Sequence, residues 1–287
     1  MPPWKNGGRN DLMAGMSKVL SRFVAGVFLL ALMLAAIPLA RIVGVQAQDW
    51  RTASREPVGW APHPSDYEDA VVQVYAAPAV RWRGKFADHT WIAIKPKGAA
   101  YYTRYEVMGF YLRRNSSAVR VTETPTPDQR WYGSEPKLLQ DLRGAEAEKI
   151  VAAVPAAVDS YPYPNTYVVW PGPNSNTFIA HIAREIPDLR LTMPGNAIGK
   201  DFTGWKFITT SPSGTGLQVS LGGALGVILA ADEGLEINIL GLVIGANPRT
   251  MSLTLPSVGR FPGQADWTNG LHQVKATGDL AADMQTP

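Results

Sequence analysis

The stretch WPGPNSNTF, from Trp170 to Phe178, places a serine directly in front of a segment with the pattern of a helix. The first turn of a helix has unpaired backbone N–H groups and carries partial positive charge. A side chain at that point is either a cap or an activated nucleophile. Ser175 is therefore the first candidate for chemistry, while Asn174 or Asn176 can fill the cap in the other interpretation.

The composition excludes several other kinds of site. The chain has no cysteine, which rules out thiolate catalysis, disulfides and Cys-ligated metal. Its four histidines lack metal-ligand spacing, and we expect neither a metal nor a cofactor. Five of the 27 Lys and Arg residues and one of the 24 acids precede residue 42, which leaves 22 bases and 23 acids in the rest. This balance predicts no nucleic-acid partner.

Three β-rich segments are expected to form part of the scaffold. AVVQVYAA (Ala70 to Ala77), HTWIAIK and YYTRYEVMGFY have the residue types of strands, and PKGAA joins the last two into an antiparallel hairpin. Side chains alternate along a strand. His89 and Trp91 therefore share one face of the predicted hairpin, and Thr90 lies on the other.

Helical patterns follow the hairpin. GAEAEKIVAAVPAAVDSY predicts an Ala-rich helix that Pro155 kinks or divides. TYVVW then reads as a short strand that leads into the WPGPNSNTF stretch. A second helix is predicted from Asn176 to Ile186, where Pro187 stops it. Ser175 would thus lie at the N-terminus of this second helix.

The C-terminal third is glycine-rich and apolar from Leu217 to Pro248. Neither of its apolar halves is long enough to span a membrane, so we predict buried strands around an ADEG turn. The other interpretation is a surface that contacts lipid or a partner.

One segment is long enough to meet a membrane. From Phe23 to Ala40 the chain has eighteen residues without a charge. At about 1.5 Å per residue they nearly span a hydrocarbon core of about 30 Å, and we predict a single transmembrane helix at residues 23–43. The bases in residues 1–22 predict a cytoplasmic N-terminus, with the bulk of the chain periplasmic or extracellular. A signal peptide cleaved near Val45 to Ala47 is the alternative.

Several motifs resemble an uncharacterised bacterial family, the domain of unknown function 3750. They are HTWIAIKPKGAAYYTRYEV, PGPNSNTFIA, NAIGKDF and EINILGLVIG, in the same order and over nearly the whole exported part. The family has no established activity, so this resemblance implies none.

A more distant resemblance is to circularly permuted papain-like hydrolases and acyltransferases, including the lecithin retinol acyltransferase-like group. In these, a His near the start of a strand precedes a Cys at a helix N-terminus in an NCxxF-like setting. Here His89 opens HTWIAI, and Ser175 stands in the cysteine's place in NSNTF. The resemblance implies Ser175 as nucleophile, His89 as base, and Glu106 or Asp201 orienting the imidazole. Serine in a cysteine site also fits a relative without activity, because a hydroxyl depends wholly on its base.

These observations predict an α+β protein of the inner membrane with one N-terminal transmembrane helix and an antiparallel sheet packed on helices. The expected segments are a stalk at 44–68, a permuted papain-like core at 69–210, a β-rich extension at 211–276 and a tail at 277–287. The expected function is hydrolysis or acyl transfer on an envelope amide or ester. The alternative is an inactive relative that binds an envelope ligand or a protein partner.

Overall fold

The computed structural model describes residues 51–114 and 116–261, together with residues 21, 22 and 26. Apart from residue 26, the predicted membrane span at 23–43 lies outside the described residues, as does the predicted tail at 277–287. Within the described ranges, no helix is both long enough and apolar enough to cross a membrane.

Residues 51–114 and 116–261 contain two antiparallel sheets and two α-helices, which agrees with the predicted α+β class. The first sheet has five strands in the order β4-β3-β2-β1-β5. Its strands are β1 (Val71–Pro78), β2 (Asp88–Lys95), β3 (Tyr102–Val107), β4 (Val119–Thr124) and β5 (Lys137–Arg143). The helices are α1 (Ala145–Asp159) and α2 (Ser175–Glu185). Short 3-10 helices cover Arg81–Lys85, Gly109–Arg114 and Pro187–Leu189.

Three local predictions need correction. The strand β3 ends at Val107, because the chain turns into the 3-10 helix Gly109–Arg114 instead of continuing to Tyr111. Of the two alternatives predicted for Pro155, division is wrong, because α1 runs through this proline as one helix. TYVVW forms no strand; the Val168 N–H donates to the carbonyl of Pro173 within the same loop, 2.8 Å away.

α1 and α2 cover one face of the first sheet. Val74 and Ile92 point from the strands into a buried cluster, where Ile150 and Val154 of α1 and Phe178 of α2 meet them. Ile150 and Val154 are four residues apart and so lie on one side of α1, as the sequence predicts. Burial of each such side chain stabilises the fold by roughly 1.5–3 kcal/mol before entropy is counted.

The opposite face of the first sheet is covered by irregular chain. Trp91 stacks on Tyr75 with ring centroids 5.4 Å apart, and Trp60 packs against their cluster. The buried carboxylate of Asp128 accepts the backbone N–H of Trp60 at 2.6 Å. Residues 51–67 are therefore not the free stalk that the sequence suggested, since their aromatic side chains close an apolar sheet face.

The second sheet has seven strands that follow one another in sequence order. They are β6 (Ile208–Thr210), β7 (Gly216–Leu221), β8 (Leu225–Ala230), β9 (Gly234–Ile239), β10 (Leu242–Asn247), β11 (Ser252–Leu255) and β12 (Gly259–Phe261). Its inward face carries mostly polar residues, such as Gln218, Glu236 and Asn238, and these are buried.

The outward positions of the second sheet form what we call the apolar face. Its members are between 37 and 68 % exposed. They are Ile208, Leu217, Val219, Leu221, Leu225, Val227, Leu229, Leu235, Ile237, Leu253 and Phe261. The prediction of buried strands is therefore wrong for this face, because alternation separates polar from apolar side chains but does not determine which set is covered.

Candidate functional site

A buried ionic cluster lies on the covered face of β2 and β3 that is opposite the helices. Nε2 of His89 is 3.0 Å from Oε2 of Glu106, and Nη2 of Arg104 donates to the same oxygen at 3.0 Å. Arg104 and Glu106 alternate with Tyr105, which points to the helix side. The structure therefore brings His89 and Glu106, two of the residues expected to act together, into direct contact.

The charges of this cluster follow from burial and pairing. Burial lowers the pKa of His89, and Glu106 offsets only part of that effect. Burial alone would raise the pKa of Glu106, but the hydrogen bond from His89 and the charge of Arg104 together hold it below its ordinary value. The arrangement is a neutral imidazole whose N–H donates to a carboxylate, with Arg104 supplying the balancing positive charge.

The Trp131 ring covers the His89 side of this cluster. Its ring stacks on the His89 ring with centroids 3.9 Å apart and planes 14° from parallel. The Arg104 guanidinium lies 4.4 Å from the centre of the Trp91 ring and 5.6 Å from that of Trp131. His89 is only 6 % exposed as a result. Its imidazole cannot reach a substrate unless Trp131 moves.

A cavity of about 380 Å³ adjoins the cluster. Arg104 and Glu106 contribute to its lining, and so does the loop that carries Trp131. That loop is held by the segment before β1, since the Arg130 N–H donates to the carbonyl of Glu56 at 2.9 Å. The other arginines of the lining are Arg55 and Arg130, and its aromatic residues are Phe110, Tyr111, Trp131 and Tyr132.

Ser175 is the first residue of α2, and Asn174 is its N-cap. The Asn174 side chain accepts the backbone N–H groups of Asn176 and Thr177, and the Thr177 hydroxyl accepts the N–H of Asn174. This reciprocal pair is a capping box. Ser175 is 3 % exposed and lies near the phenol of Tyr167, whose pKa is raised mainly by burial. Asn174 therefore fills the cap, as the second interpretation expected.

The structure does not bring Ser175 and His89 together. The neighbouring Thr90 faces α2, and its hydroxyl donates to Asn176 Oδ1 at 2.9 Å and lies 3.4 Å from the Ser175 carbonyl. His89 faces the other way, onto Trp131. Because consecutive strand residues point to opposite faces, the body of the first sheet separates the serine from the imidazole. This geometry corrects the expected nucleophile and base pair.

Asp201, the second candidate for orienting the imidazole, belongs to a different cluster. Its Oδ1 is 2.9 Å from Lys200 Nζ, and its Oδ2 accepts the Asn238 amide at 3.0 Å. Lys200 Nζ also donates to Glu236 Oε2 at 2.9 Å. Burial alone would lower the pKa of Lys200, but the carboxylates of Asp201 and Glu236 raise it above its usual value. These contacts fasten the second sheet to the NAIGKDF turn.

The NAIGKDF turn also holds the N-terminus of α2 through hydrogen bonds. Thr177 donates its hydroxyl to the Gly199 carbonyl at 2.8 Å, and the Asn174 amide donates to the Ile198 carbonyl at 3.0 Å. Gly199 has a φ of +100°, and a Cβ there would overlap the Asn174 side chain. Only glycine permits this close approach.

Sequence reasoning missed Arg104 and Trp131 as members of the ionic cluster. The alternation of Arg104 and Glu106 along YYTRYEV places both on one face and was the available signal. Trp131 comes from a loop without periodicity, so no pattern pointed to it. Among the described residues, no group of three His, Asp or Glu side chains is placed to hold a metal ion.

Comparison with known proteins gives a match to one family model and no activity. Residues 69–202 match the model of a family described as "Protein of unknown function (DUF3750)". This match supports the family resemblance for the first sheet, both helices and NAIGKDF. It ends before the second sheet, so it does not include EINILGLVIG, which the sequence comparison had placed in the same family. No curated protein and no solved structure matches the chain.

Proposed function

We propose that the first sheet and its covering loops form a binding module for a small anionic ligand of the cell envelope. The cavity beside Arg104 and Glu106 is the observation that carries this proposal. Its volume of about 380 Å³ lies within the range of small-molecule sites, and its lining combines aromatic rings with a few polar groups. Contacts within the buried ionic cluster hold Arg104 and Glu106 in place, as a preformed binding site requires.

The arginines favour a ligand with a negative group. Nε of Arg104 is buried and has no hydrogen-bond partner among the described residues. An acceptor from a ligand would satisfy this donor, which otherwise costs roughly 1–3 kcal/mol. The Arg55 guanidinium lies over the Tyr132 ring at 4.6 Å and makes no ion pair with the described residues. We therefore propose a carboxylate next to a planar or apolar group as the recognised feature.

The expected hydrolase with Ser175 and His89 is not the function that this geometry supports best. A nucleophile and its base need to be within hydrogen-bond reach, or close enough to move into it. Here the Ser175 backbone lies beside Thr90 on the helix side of the sheet, and His89 lies on the other side under Trp131. The resemblance to permuted papain-like enzymes then fits a relative that kept the capped helix and lost the chemistry.

The membrane anchor remains part of the proposal. Residues 23–43 would hold the module at the inner membrane, with the N-terminus cytoplasmic and the cavity in the periplasm or outside the cell. The uncharged run from Phe23 to Ala40 supports this arrangement. A ligand of the envelope follows from that location.

The test is calorimetric titration of the full chain in detergent with hippurate and with its neutral amide, hippuramide. Hippurate carries a carboxylate beside an amide and a planar ring. We expect hippurate to bind at millimolar concentration and the amide to bind at least about tenfold more weakly, because the amide loses the charge-assisted hydrogen bonds. Arg55→Gln should weaken hippurate binding about fivefold, and exposed Arg249→Gln should leave it unchanged.

Two results would overturn the proposal. Equal affinity for hippurate and its amide would contradict recognition of an anion. If neither compound binds, the proposal of a binding module is wrong. Ser175→Ala separates binding from catalysis. A binding module keeps its hippurate affinity and its phenotype in cells with this substitution, whereas an enzyme that uses Ser175 loses the phenotype.

A further inference from the structure

We propose that the apolar face of the second sheet is a docking surface for a second copy of this chain. The outward positions of β6 to β12 carry mostly Leu, Ile, Val and Phe, and none of them carries a charge. On the inward face, by contrast, Gln218 and Glu236 are buried in hydrogen bonds and ion pairs. The sheet thus turns its polar side toward its own protein and leaves its apolar side uncovered within the described residues.

The size of the apolar face supports a stable dimer. Its exposed fractions correspond to on the order of 1,000 Å² of apolar surface, above the roughly 300–600 Å² of the largest patch on a typical monomer. Two such faces would bury on the order of 2,000 Å² in total, which is the size of an obligate homodimer interface. A smaller patch would not by itself indicate a second copy.

The chemistry of the face is self-complementary. In a two-fold dimer the same patch meets itself, so a charge near the axis would face its own copy, and a charge elsewhere would be buried against an apolar side chain. The apolar face avoids this problem because Val219, Val227 and Ile237, aligned across three strands, are all uncharged. Two sheets packed at about 10 Å with their strands about 30° apart are a common soluble arrangement for such surfaces.

The short edges of the second sheet favour association of two copies face to face rather than edge to edge. Both edge strands, β6 and β12, have only three residues. Short edge strands offer few unpaired backbone groups to a neighbouring chain. Insertion of the face into lipid would also bring those open edges toward the hydrocarbon, where unsatisfied backbone groups are costly. A second copy covers the face without this cost.

The absence of cysteine permits a direct test by cross-linking in the full chain. Val227→Cys puts one thiol near the middle of the apolar face, and Lys149→Cys puts one on the exposed side of α1. A short bis-maleimide is added to membranes that contain either variant. We expect at least about tenfold more covalent dimer from Val227→Cys. Adding Leu229→Asp to Val227→Cys should abolish the dimer, because two opposed carboxylates would be buried.

Other results would overturn the dimer. Similar cross-linking of both variants would mean association elsewhere on the chain. If Val227→Cys forms no dimer, but a bimane label on its thiol is quenched by nitroxide lipids, the face contacts the membrane instead. If Val227→Cys forms no dimer and its thiol also resists a maleimide, another segment of the same chain covers it.

Discussion

The two sheets differ in how their faces are covered. In the first sheet both faces are covered: α1 and α2 close one, and residues 51–67 with the Trp131 loop close the other. In the second sheet one face holds buried polar networks and the other presents apolar side chains to the outside. The first sheet can therefore enclose a cavity, whereas the second offers a surface. The candidate functions differ for the same reason.

The two buried ionic clusters differ in the group that each leaves without a hydrogen bond. In the second sheet, Lys200 lies between the carboxylates of Asp201 and Glu236, and amide side chains donate to Asp201. Glu236 Oε1 is a buried acceptor without a hydrogen-bond partner among the described residues, and the Arg260 guanidinium lies 3.6 Å from it. In the first sheet, Arg104 meets Glu106 on one side but leaves its Nε without a partner among the described residues. The unsatisfied acceptor of Glu236 lies near a cation and does not line this cavity, while the unsatisfied donor of Arg104 lies beside the cavity and is suited to a ligand.

The largest expected effect tests the ionic cluster around Lys200. Lys200→Met keeps most of the side-chain volume but leaves two buried carboxylates without their cation. We expect the free energy of unfolding to fall by about 3–5 kcal/mol in urea titrations. Lys206→Met, at an exposed lysine, should change it by less than about 0.5 kcal/mol. A small loss at Lys200 would mean that the cluster contributes little to holding the second sheet.

The second prediction compares a covered face with the open one. Ile92→Ala removes buried contacts between β2 and the helices and should cost about 3 kcal/mol at every protein concentration. Leu229→Ala lies on the apolar face, where it should cost less than about 0.5 kcal/mol in dilute protein and more in concentrated protein. Urea unfolding at several concentrations measures both. A concentration-independent cost at Leu229 would contradict association through that face.

The sequence predicts the strands and helices of this fold better than it predicts which of their faces other parts of the protein cover. Period-two and helical patterns give β1, β2 and α2 nearly to the residue, because backbone preference and burial coincide there. The relation between Ser175 and His89 depends on which strand face meets α2, and the chain order of the motifs does not specify it. Thr90 rather than His89 faces the helix, although the two are adjacent.

The covering of the second sheet shows a different limit. Its strands alternate regularly, and the sequence correctly predicts β structure around the ADEG turn. The polar side can be buried because partners from outside the strands pair with it, among them Lys200 and Asp201 of NAIGKDF and Arg184 of α2. Long-range pairing of this kind leaves no local pattern, so apolar residues are assigned to the core by default.

A smaller effect is expected at the N-terminus of α2. Asn174→Ala removes the capping bonds to Asn176 and Thr177, and also the amide donor to Ile198. We expect a loss of about 1–2 kcal/mol in thermal or urea unfolding. Ser175→Ala should cost less, since Asn174 and not Ser175 caps the helix. If Ser175→Ala proves the more damaging change, the buried Ser175 hydroxyl contributes more to stability than the cap.

The smallest effect compares two carboxylates, one with completed contacts and one without. Burial raises the pKa of Asp88 to about 6, and the charge of Lys137 offsets only part of this. The folded protein keeps the Asp88 proton until about pH 6, while the unfolded chain releases it near 3.8, so this carboxyl destabilises the fold as pH rises through that window. Asp88→Asn removes the penalty. It should leave stability unchanged below the window. The full shift would correspond to about 3 kcal/mol, but the Asp88 side chain is partly exposed to solvent, so we expect a gain of about 1 kcal/mol above pH 6.

Asp201→Asn is the matched variant for that comparison. Asp201 is ion-paired to Lys200 and accepts hydrogen bonds from Gln218 and Asn238, so removal of its charge should destabilise the fold at neutral pH. The two substitutions are chemically identical, and opposite signs in urea unfolding at pH 7 are expected because one carboxylate lacks a close cation and the other has one. The same sign at both positions would mean that burial, rather than pairing, determines the energy of carboxylates at these sites. The contrast between the sheets would then rest on their apolar faces alone.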